Sequence, residues 1–476
     1  MHGDYNDERK ETTIMRIRLR IRSFFICLAL LALAVLRTPD AVLGAEESSP
    51  PDEQTRAFRE DMIRKGELLT LERCIEIALK RQPNIIAALY TVDVNRNRVG
   101  EALSNYYPQI EANASYTRLK PFTGTQKLVS TGLSGTSVST STASFDQYSG
   151  TLTLNQIIHD FGRTSSQVSI SRLNLASSGM DLENVSEQIV LNVKQTYYAV
   201  LLAKRNKAVA DETVQQFQQH LEQAKGFYEV GTHPKFDVTK AEVDLSNAKL
   251  NLIRADNAVR LAVVNLNNAM GVPDAPDYIL EDNLSFEKYA ITFEGALSTA
   301  FTNRPDLKSI IAKRKAAEES IALARANYYP TISGNAAYNV FGTDFPLSSG
   351  WSIGAAVSFP IFSGFLTKHQ VDEAKANLNV IKANEESQRL SIFLDVQQAY
   401  LNLKEAGERV PTAELTVTQA KENLDIANGR YSAGVGSPIE VTDAQVAYTN
   451  AETAYSQALA DYKVAKAALE KAMGSR

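Results

Sequence analysis

Five histidines and two cysteines are the side chains in this sequence best suited to ligating a metal or attacking a substrate. His2, His159, His220, His233 and His369 are too scattered to give the spacing of a metal site. No nucleophile elbow or glycine-rich phosphate loop accompanies them. The sequence therefore predicts neither an enzyme nor a bound cofactor. Cys74 falls on an apolar position of an amphipathic segment and reads as a packed thiol. His233, beside Pro234, reads as a turn residue. Two matching stretches carry more readable chemistry: "YEVGTHPKFDVTKAEV" (228–243) and "YSAGVGSPIEVTDAQV" (431–446). In the second, Gly434 suits the left-handed end of one helix. Ser437, Pro438 and Glu440 then supply an N-cap, a first helical residue and the third-position acid of a capping box. Asp443 lies one turn on, on the same face as Glu440 and beyond capping reach. Gly231, Pro234 and Asp237 mark the same turn in the first stretch, with a slightly different cap.

These turns belong to a larger repeat. Thr70, Pro83 and Tyr107-Pro108 align with Thr292, Pro305 and Tyr329-Pro330, each 222 positions later. Further on, Gln195, Tyr197 and Met270-Gly271 align with Gln398, Tyr400 and Met473-Gly474, now 203 positions later. The difference falls in a Ser/Thr/Gly-rich loop (117–150) that is longer in the first copy.

The N-terminus reads as an export signal. Arg16, Arg18, Arg20 and Arg22 precede the apolar run 24–36, and small residues in "AVLGAEES" offer a cleavage site near 44–45. The first fourteen residues read as an extension, with Met15 as an alternative start. The expected organisation is a signal peptide over 1–45, a flexible linker over 46–67, a first repeat over 68–271, a linker over 272–290 and a second repeat over 291–476. A net charge of −5 gives no basic footprint for nucleic acid. No later segment holds the roughly 18 apolar residues of a transmembrane helix. An exported chain of this kind is either periplasmic or crosses a membrane as β-strands.

Each half begins with a short helix ended by Pro83 or Pro305, followed by a second helix. Strands with alternating apolar residues come next, at about 107–118 and 146–158 in one half and 329–341 and 350–362 in the other. Their length suits tilted membrane strands, and Tyr107, Tyr116, Tyr148, Tyr329, Tyr338 and Trp351 lie near their ends. A very long helix follows in each half, with a narrow seam at Leu182, Val185, Ile189 and Val193 in the first. Gly407 and Pro411 predict a kink or break in the second. Returning helices over 236–270 and 438–473 complete two hairpins. The fold class is mainly α with membrane β, internally duplicated. Four strands cannot close a barrel, whose minimum is about eight, so several chains must pool theirs.

The repeat, "IALKRQPN" and "AFTNRPDL", "YYPQI" and "YYPTI", "LNQIIHDFGR" and "VSFPIFSGFL", and the two hairpin turns together resemble the TolC family of outer membrane factors over 68–474. The resemblance implies a homotrimer in outer membrane lipid, with a twelve-stranded β-barrel on a twelve-helix periplasmic tunnel. It implies a passive exit duct for a tripartite efflux pump or type I secretion system, partnered by a periplasmic adaptor and an inner membrane RND or ABC transporter. The other reading is a soluble periplasmic adaptor bridging the two membranes. By the same resemblance Asp237, Tyr431, Glu440 and Asp443 are entrance-gating residues, with a Tyr431–Asp237 link and an acidic ring of Glu440 and Asp443. Gly436 stands where the family has an arginine, so the entrance is expected to be less firmly closed. The cargo is not legible.

Overall fold

The computed structural model describes residues 63–120, 127–130, 136–139 and 144–475. The export signal (1–45) and most of the linker expected over 46–67 lie outside the described residues.

Local capping sets the start of each repeat. Thr70 accepts a hydrogen bond from the Arg73 backbone N (3.2 Å) and opens α1 (Leu71–Arg81) after a two-residue strand β1 (Leu68–Leu69). Leu71, Cys74, Ile77 and Ala78 form its buried stripe. Pro83 then starts α2 (Pro83–Ser104) at a position where its missing N–H costs nothing. The second repeat builds α5 (Phe293–Asn303) and α6 (Pro305–Ala326) to the same lengths of 11 and 22 residues, with Thr292 as the equivalent cap. Cys74 is fully buried and burial pushes its thiol up to about 12, as a packed, unreactive group requires.

Four strands form one antiparallel sheet in the order β2 (Gln109–Leu119), β5 (Phe145–His159), β7 (Thr331–Gly342), β8 (Ser348–Ser358). Tyr116 pairs with Tyr148 in one cross-strand row, and Leu152, Tyr338 and Trp351 follow one another in a second, so each row carries a pair of aromatic residues. A register shift between Ile157 and His159 marks the exit of β5. Every residue of β2 and β8, the two edge strands, is exposed. Within the Ser/Thr/Gly-rich loop, β3 (Lys127–Ser130) and β4 (Thr136–Ser139) pair as a hairpin that alternation alone does not reveal.

From the sheet the chain turns into helices of 67 residues each, α3 (Arg163–Glu229) and α7 (Leu366–Ser432). Asp160 fixes the first crossing by accepting from the backbone N–H groups of Gly162 (3.2 Å) and Thr164 (2.7 Å). Each helix would span ~100 Å at 1.5 Å per residue. They return through α4 (Lys235–Met270) and α8 (Pro438–Ala472). In α3, Ile189 and Val193 are buried, and the seam continues through Tyr197, Val200 and Leu201. Of the kink or break expected at Gly407 and Pro411, the break does not occur: α7 runs through with Pro411 inside it. The residue four before Pro411, whose carbonyl its ring crowds, is Gly407, which has no side chain to add to the crowding. A side chain there would meet the Tyr462 ring at 3.4 Å.

The segment between the repeats is strapped to this frame. A strand β6 (Ile279–Leu280) pairs in parallel with β1. The Tyr197 hydroxyl donates to the Glu281 carbonyl (2.7 Å) and the Tyr462 hydroxyl to the Glu287 carbonyl (2.8 Å).

Each hairpin is also closed at its root. Gln82 Nε2 donates to the carbonyls of Asn268 (3.3 Å) and Ala269 (3.1 Å), at the end of α4. At the aligned position, Arg304 donates to Asp306, to Asp395 on α7 (2.9 Å) and to the Ala472 carbonyl at the end of α8 (3.5 Å). Gly271 and Gly474, both at positive φ, let these two backbones meet: a Cβ on Gly474 would stand 2.8 Å from Arg304 Cα.

Candidate functional site: the hairpin tips

The two hairpins meet near their tips, and the turn sequences explain how each tip is built. Gly231 adopts φ +74° after α3, and the Thr232 N–H returns to the Phe227 carbonyl (3.0 Å). Gly434 does the same after α7, with the N–H groups of Val435 and Gly436 both donating to the Arg430 carbonyl (3.0 Å). Ser437 caps α8 by accepting from the Ile439 N–H (3.2 Å).

The side chains brought together here are partly those the sequence singles out. Tyr431 is 0% exposed. Its ring lies against three rings of the first hairpin: His220 at 4.9 Å, Phe227 at 5.6 Å and His233 at 5.6 Å between centroids. The Tyr431 hydroxyl is buried and has no hydrogen-bond partner among the described residues. Burial, and then the Asp237 charge, push its hydroxyl above the ordinary tyrosine range. The expected Tyr431–Asp237 link is therefore absent. The reason is local: His233, four residues before Asp237 on the same turn, takes the buried carboxylate through Nδ1···Oδ2 at 2.8 Å.

Glu440 also departs from its expected part. It is exposed and pairs with Arg430 Nε at 3.4 Å instead of completing a capping box. Arg430 thus supplies a cation close to where the family resemblance places one, six residues earlier in the chain. An arginine at position 436 itself is blocked. A Cβ there would stand 2.8 Å from the Tyr431 backbone N and 2.9 Å from the Arg430 carbonyl carbon. Asp443 is exposed, and no hydrogen bond or ion pair engages it among the described residues.

Further links cross from one hairpin to the other. Gln223 Nε2 donates to Ser432 Oγ (3.0 Å), and Thr442 Oγ1 donates to Asp244 (3.0 Å), whose carboxylate also accepts from Lys240 (2.8 Å). Sequence reasoning misses His220, Phe227, Asp244 and Arg430. The signal that could have found His220 is its place three residues after Phe217 and four before Ala224, on the face that buries Phe217, Leu221 and Ala224. Among the described residues no group of His, Cys, Asp and Glu is arranged to hold a metal ion.

The comparisons with known proteins agree with this architecture. The family model described as outer membrane efflux protein matches residues 74–272 and 296–475. The antibiotic efflux pump outer membrane protein ArpC of Pseudomonas putida is 23% identical over 381 residues, covering 79% of this chain and 76% of that protein. The cation efflux system protein CusC of Escherichia coli is 25% identical over 380 residues, covering 73% and 75%. The CmeC outer membrane channel of Campylobacter jejuni superposes with a TM-score of 0.72 at 20% identity, covering 85% of each chain. A duplicated pair of long helical hairpins, a four-stranded sheet with aromatic rows, and a family match over most of both repeats lead to one conclusion: the chain belongs to the outer membrane efflux protein family and is a protein of the outer membrane.

Proposed function

We propose that this chain forms a homotrimeric channel, the passive outer membrane exit of a tripartite efflux pump or type I secretion system. The observation that carries this reading is the open sheet. Both of its edge strands are exposed along their whole length, and unpaired backbone groups cannot remain at a sheet edge in lipid. Pairing β8 of one copy with β2 of the next removes every edge, and three copies supply a twelve-stranded barrel. The long helices support the same assembly. Phe236, Val243, Leu250, Ile253, Leu261 and Val264 form an exposed apolar stripe along α4. Exposed Leu390, Leu394, Leu401 and Leu415 on α7 offer a second. Neighbouring copies would cover both, at roughly 1.5–3 kcal/mol for each large side chain fully buried. A periplasmic adaptor and an inner membrane RND or ABC transporter are the partners this reading requires.

In this channel the tips form the periplasmic entrance, and Asp237, Tyr431, Glu440 and Asp443 lie at or beside it. Asp443, exposed and unengaged, carries the acidic ring; Glu440 contributes through a carboxylate that Arg430 partly neutralises. Like charges gathered at a narrowing attract cations and repel anions. Asp443→Ala should therefore lower cation selectivity, read as a change in reversal potential across a lipid bilayer under a salt gradient. Adding Glu440→Ala should deepen the effect. An unchanged reversal potential in the double variant removes the ring from the constriction. Recovery of a water-soluble monomer from the periplasm would refute the channel itself.

A further inference from the structure

We propose that the joint between the two hairpin tips is a proton-operated latch, in which His220 must be neutral for Tyr431 to stay seated between the hairpins. The inference rests on reading these tips as a channel entrance. Its starting point is the way Tyr431 is held. The side chain that plugs the second hairpin into the first makes no hydrogen bond with its hydroxyl, so ring packing against His220, Phe227 and His233 does the holding. Packing of this kind is lost when one of the rings gains a charge that it cannot solvate.

His220 is the ring placed to do so. It is buried on α3 and stands closest to Tyr431. The charged groups around it are Asp237, Asp244 and Lys240, all from α4; α7 presents Tyr431, and the turn presents His233. Both carboxylates are already engaged, Asp237 by His233 and Asp244 by Lys240 and Thr442. Burial pushes His220 below its ordinary value of 6.5, Asp244 and Asp237 pull it partly back, and Lys240 adds to the push. In the packed joint His220 is therefore neutral near neutral pH. Separation of the hairpins removes the Tyr431 ring from His220 and leaves it beside the Asp237 and Asp244 carboxylates, so its burial lessens and it takes up a proton more readily than in the packed joint. The open form then binds a proton more readily than the closed one, so opening is favoured as pH falls below about 6.5. His233 is bonded to Asp237 within one hairpin, so that bond survives opening and does not act across the joint. The other links between the hairpins on this side, Gln223 to Ser432, Thr442 to Asp244 and, further from the tips, Thr213 to Thr449, are hydrogen bonds of smaller side chains than Tyr431.

The test places spin labels through Lys225→Cys and Asn428→Cys, exposed positions on either side of the joint, in the exported protein in detergent, without residues 1–45 and hence without Cys27. The buried Cys74 is left in place. Between about pH 7.5 and about pH 5 the label-to-label distance should lengthen, and His220→Phe, which keeps a ring without a titrating proton, should hold the short distance at both. In planar bilayers the open probability of the unlabelled protein should rise at least about threefold over the same interval, and His220→Phe should abolish the rise. A distance that ignores pH in the parent protein, or one that still lengthens in His220→Phe, overturns the latch. Absence of any conductance step at either pH, with the distance change intact, would refute the channel reading and leave the latch standing.

Discussion

The roots of the two hairpins make the same closure with different chemistry. Gln82 and Arg304 occupy aligned positions, each just before the proline that starts the second helix of its repeat. Both reach the last carbonyls of their own hairpin's return helix. The first repeat does this with a neutral amide whose loss leaves two carbonyls near solvent. The second uses a guanidinium that is 5% exposed and bound to two carboxylates, one of them on the long helix α7. Duplication preserved the geometry and not the energetics. The ionic root ties three elements at once, and removing one partner leaves charge buried without compensation.

That contrast sets the sizes of the expected effects. Arg304→Ala should cost about 3 kcal/mol of stability, the low end for a buried ion pair, because it strands the largely buried Asp306 while the more exposed Asp395 returns to water; thermal unfolding of the detergent-solubilised protein measures it. Arg304→Gln, which imports the first repeat's solution, should recover part of the loss by reaching the Ala472 carbonyl. Acid sharpens the comparison. Burial pushes Asp306 up, but the hydrogen bonds and charge of Arg304 outweigh it and hold the carboxyl below its ordinary 3.8. A carboxyl held low stabilises the fold above the ordinary carboxylate range, and that contribution disappears as pH falls through the folded value. The parent protein should thus lose more stability below about pH 4 than Arg304→Gln does.

Next in size are the glycines facing these roots. Gly474→Ala should cost roughly 2–3 kcal/mol, since the residue has φ +67° and its Cβ would press on Arg304 backbone atoms at 2.8 Å. Gly271→Ala, at φ +72° with its closest approach 3.0 Å to the Arg81 carbonyl oxygen, should cost less. Gln82→Ala should cost about 1 kcal/mol, the net worth of neutral hydrogen bonds. Equal losses for Gln82→Ala and Arg304→Ala would break the contrast. The smallest effect belongs to the tip. Tyr431→Phe should leave stability unchanged or raise it by up to ~1 kcal/mol, because it removes a buried hydroxyl without a partner. A loss of similar size would mean that a hydrogen bond to Asp237 holds the joint after all.

Periodicity and capping made most of the fold legible. Pro83 and Pro305 mark where the first helices end, Ser437 and Pro438 mark where α8 begins, and alternation locates the four long strands within a few residues. These signals are local, so one sequence suffices to read them. The break expected at Pro411 did not occur because tertiary packing along a long helix outweighs one lost hydrogen bond. The pair β1–β6 joins segments of two residues each, too short for any periodic signal. At the tips the sequence picks out Tyr431 and Asp237 but not what they touch. Their partners are decided by competition among side chains that the chain brings together only when folded. His233 outcompetes Tyr431 for Asp237 through a spacing of four on one turn. Arg430 finds Glu440 across the turn, a contact that helical spacing does not describe.

The equal length of α3 and α7 makes the hairpins a ruler. Both are 67 residues, and the constant 203-position offset from Gln195/Gln398 to Gly271/Gly474 means that neither copy has gained or lost a residue over that distance. Removing one heptad from α3 alone would shorten its reach by ~10 Å. Phe227 and His220 would then no longer stand level with Tyr431, and the closure at the roots would be intact while the tips failed to meet. Removing matched heptads from all four long helices would keep every contact in step and bring the tip nearer to the sheet by the same amount. The depth that the protein probes beneath its membrane is thus a quantity that can change only in concert, by whole heptads, in both halves of the chain.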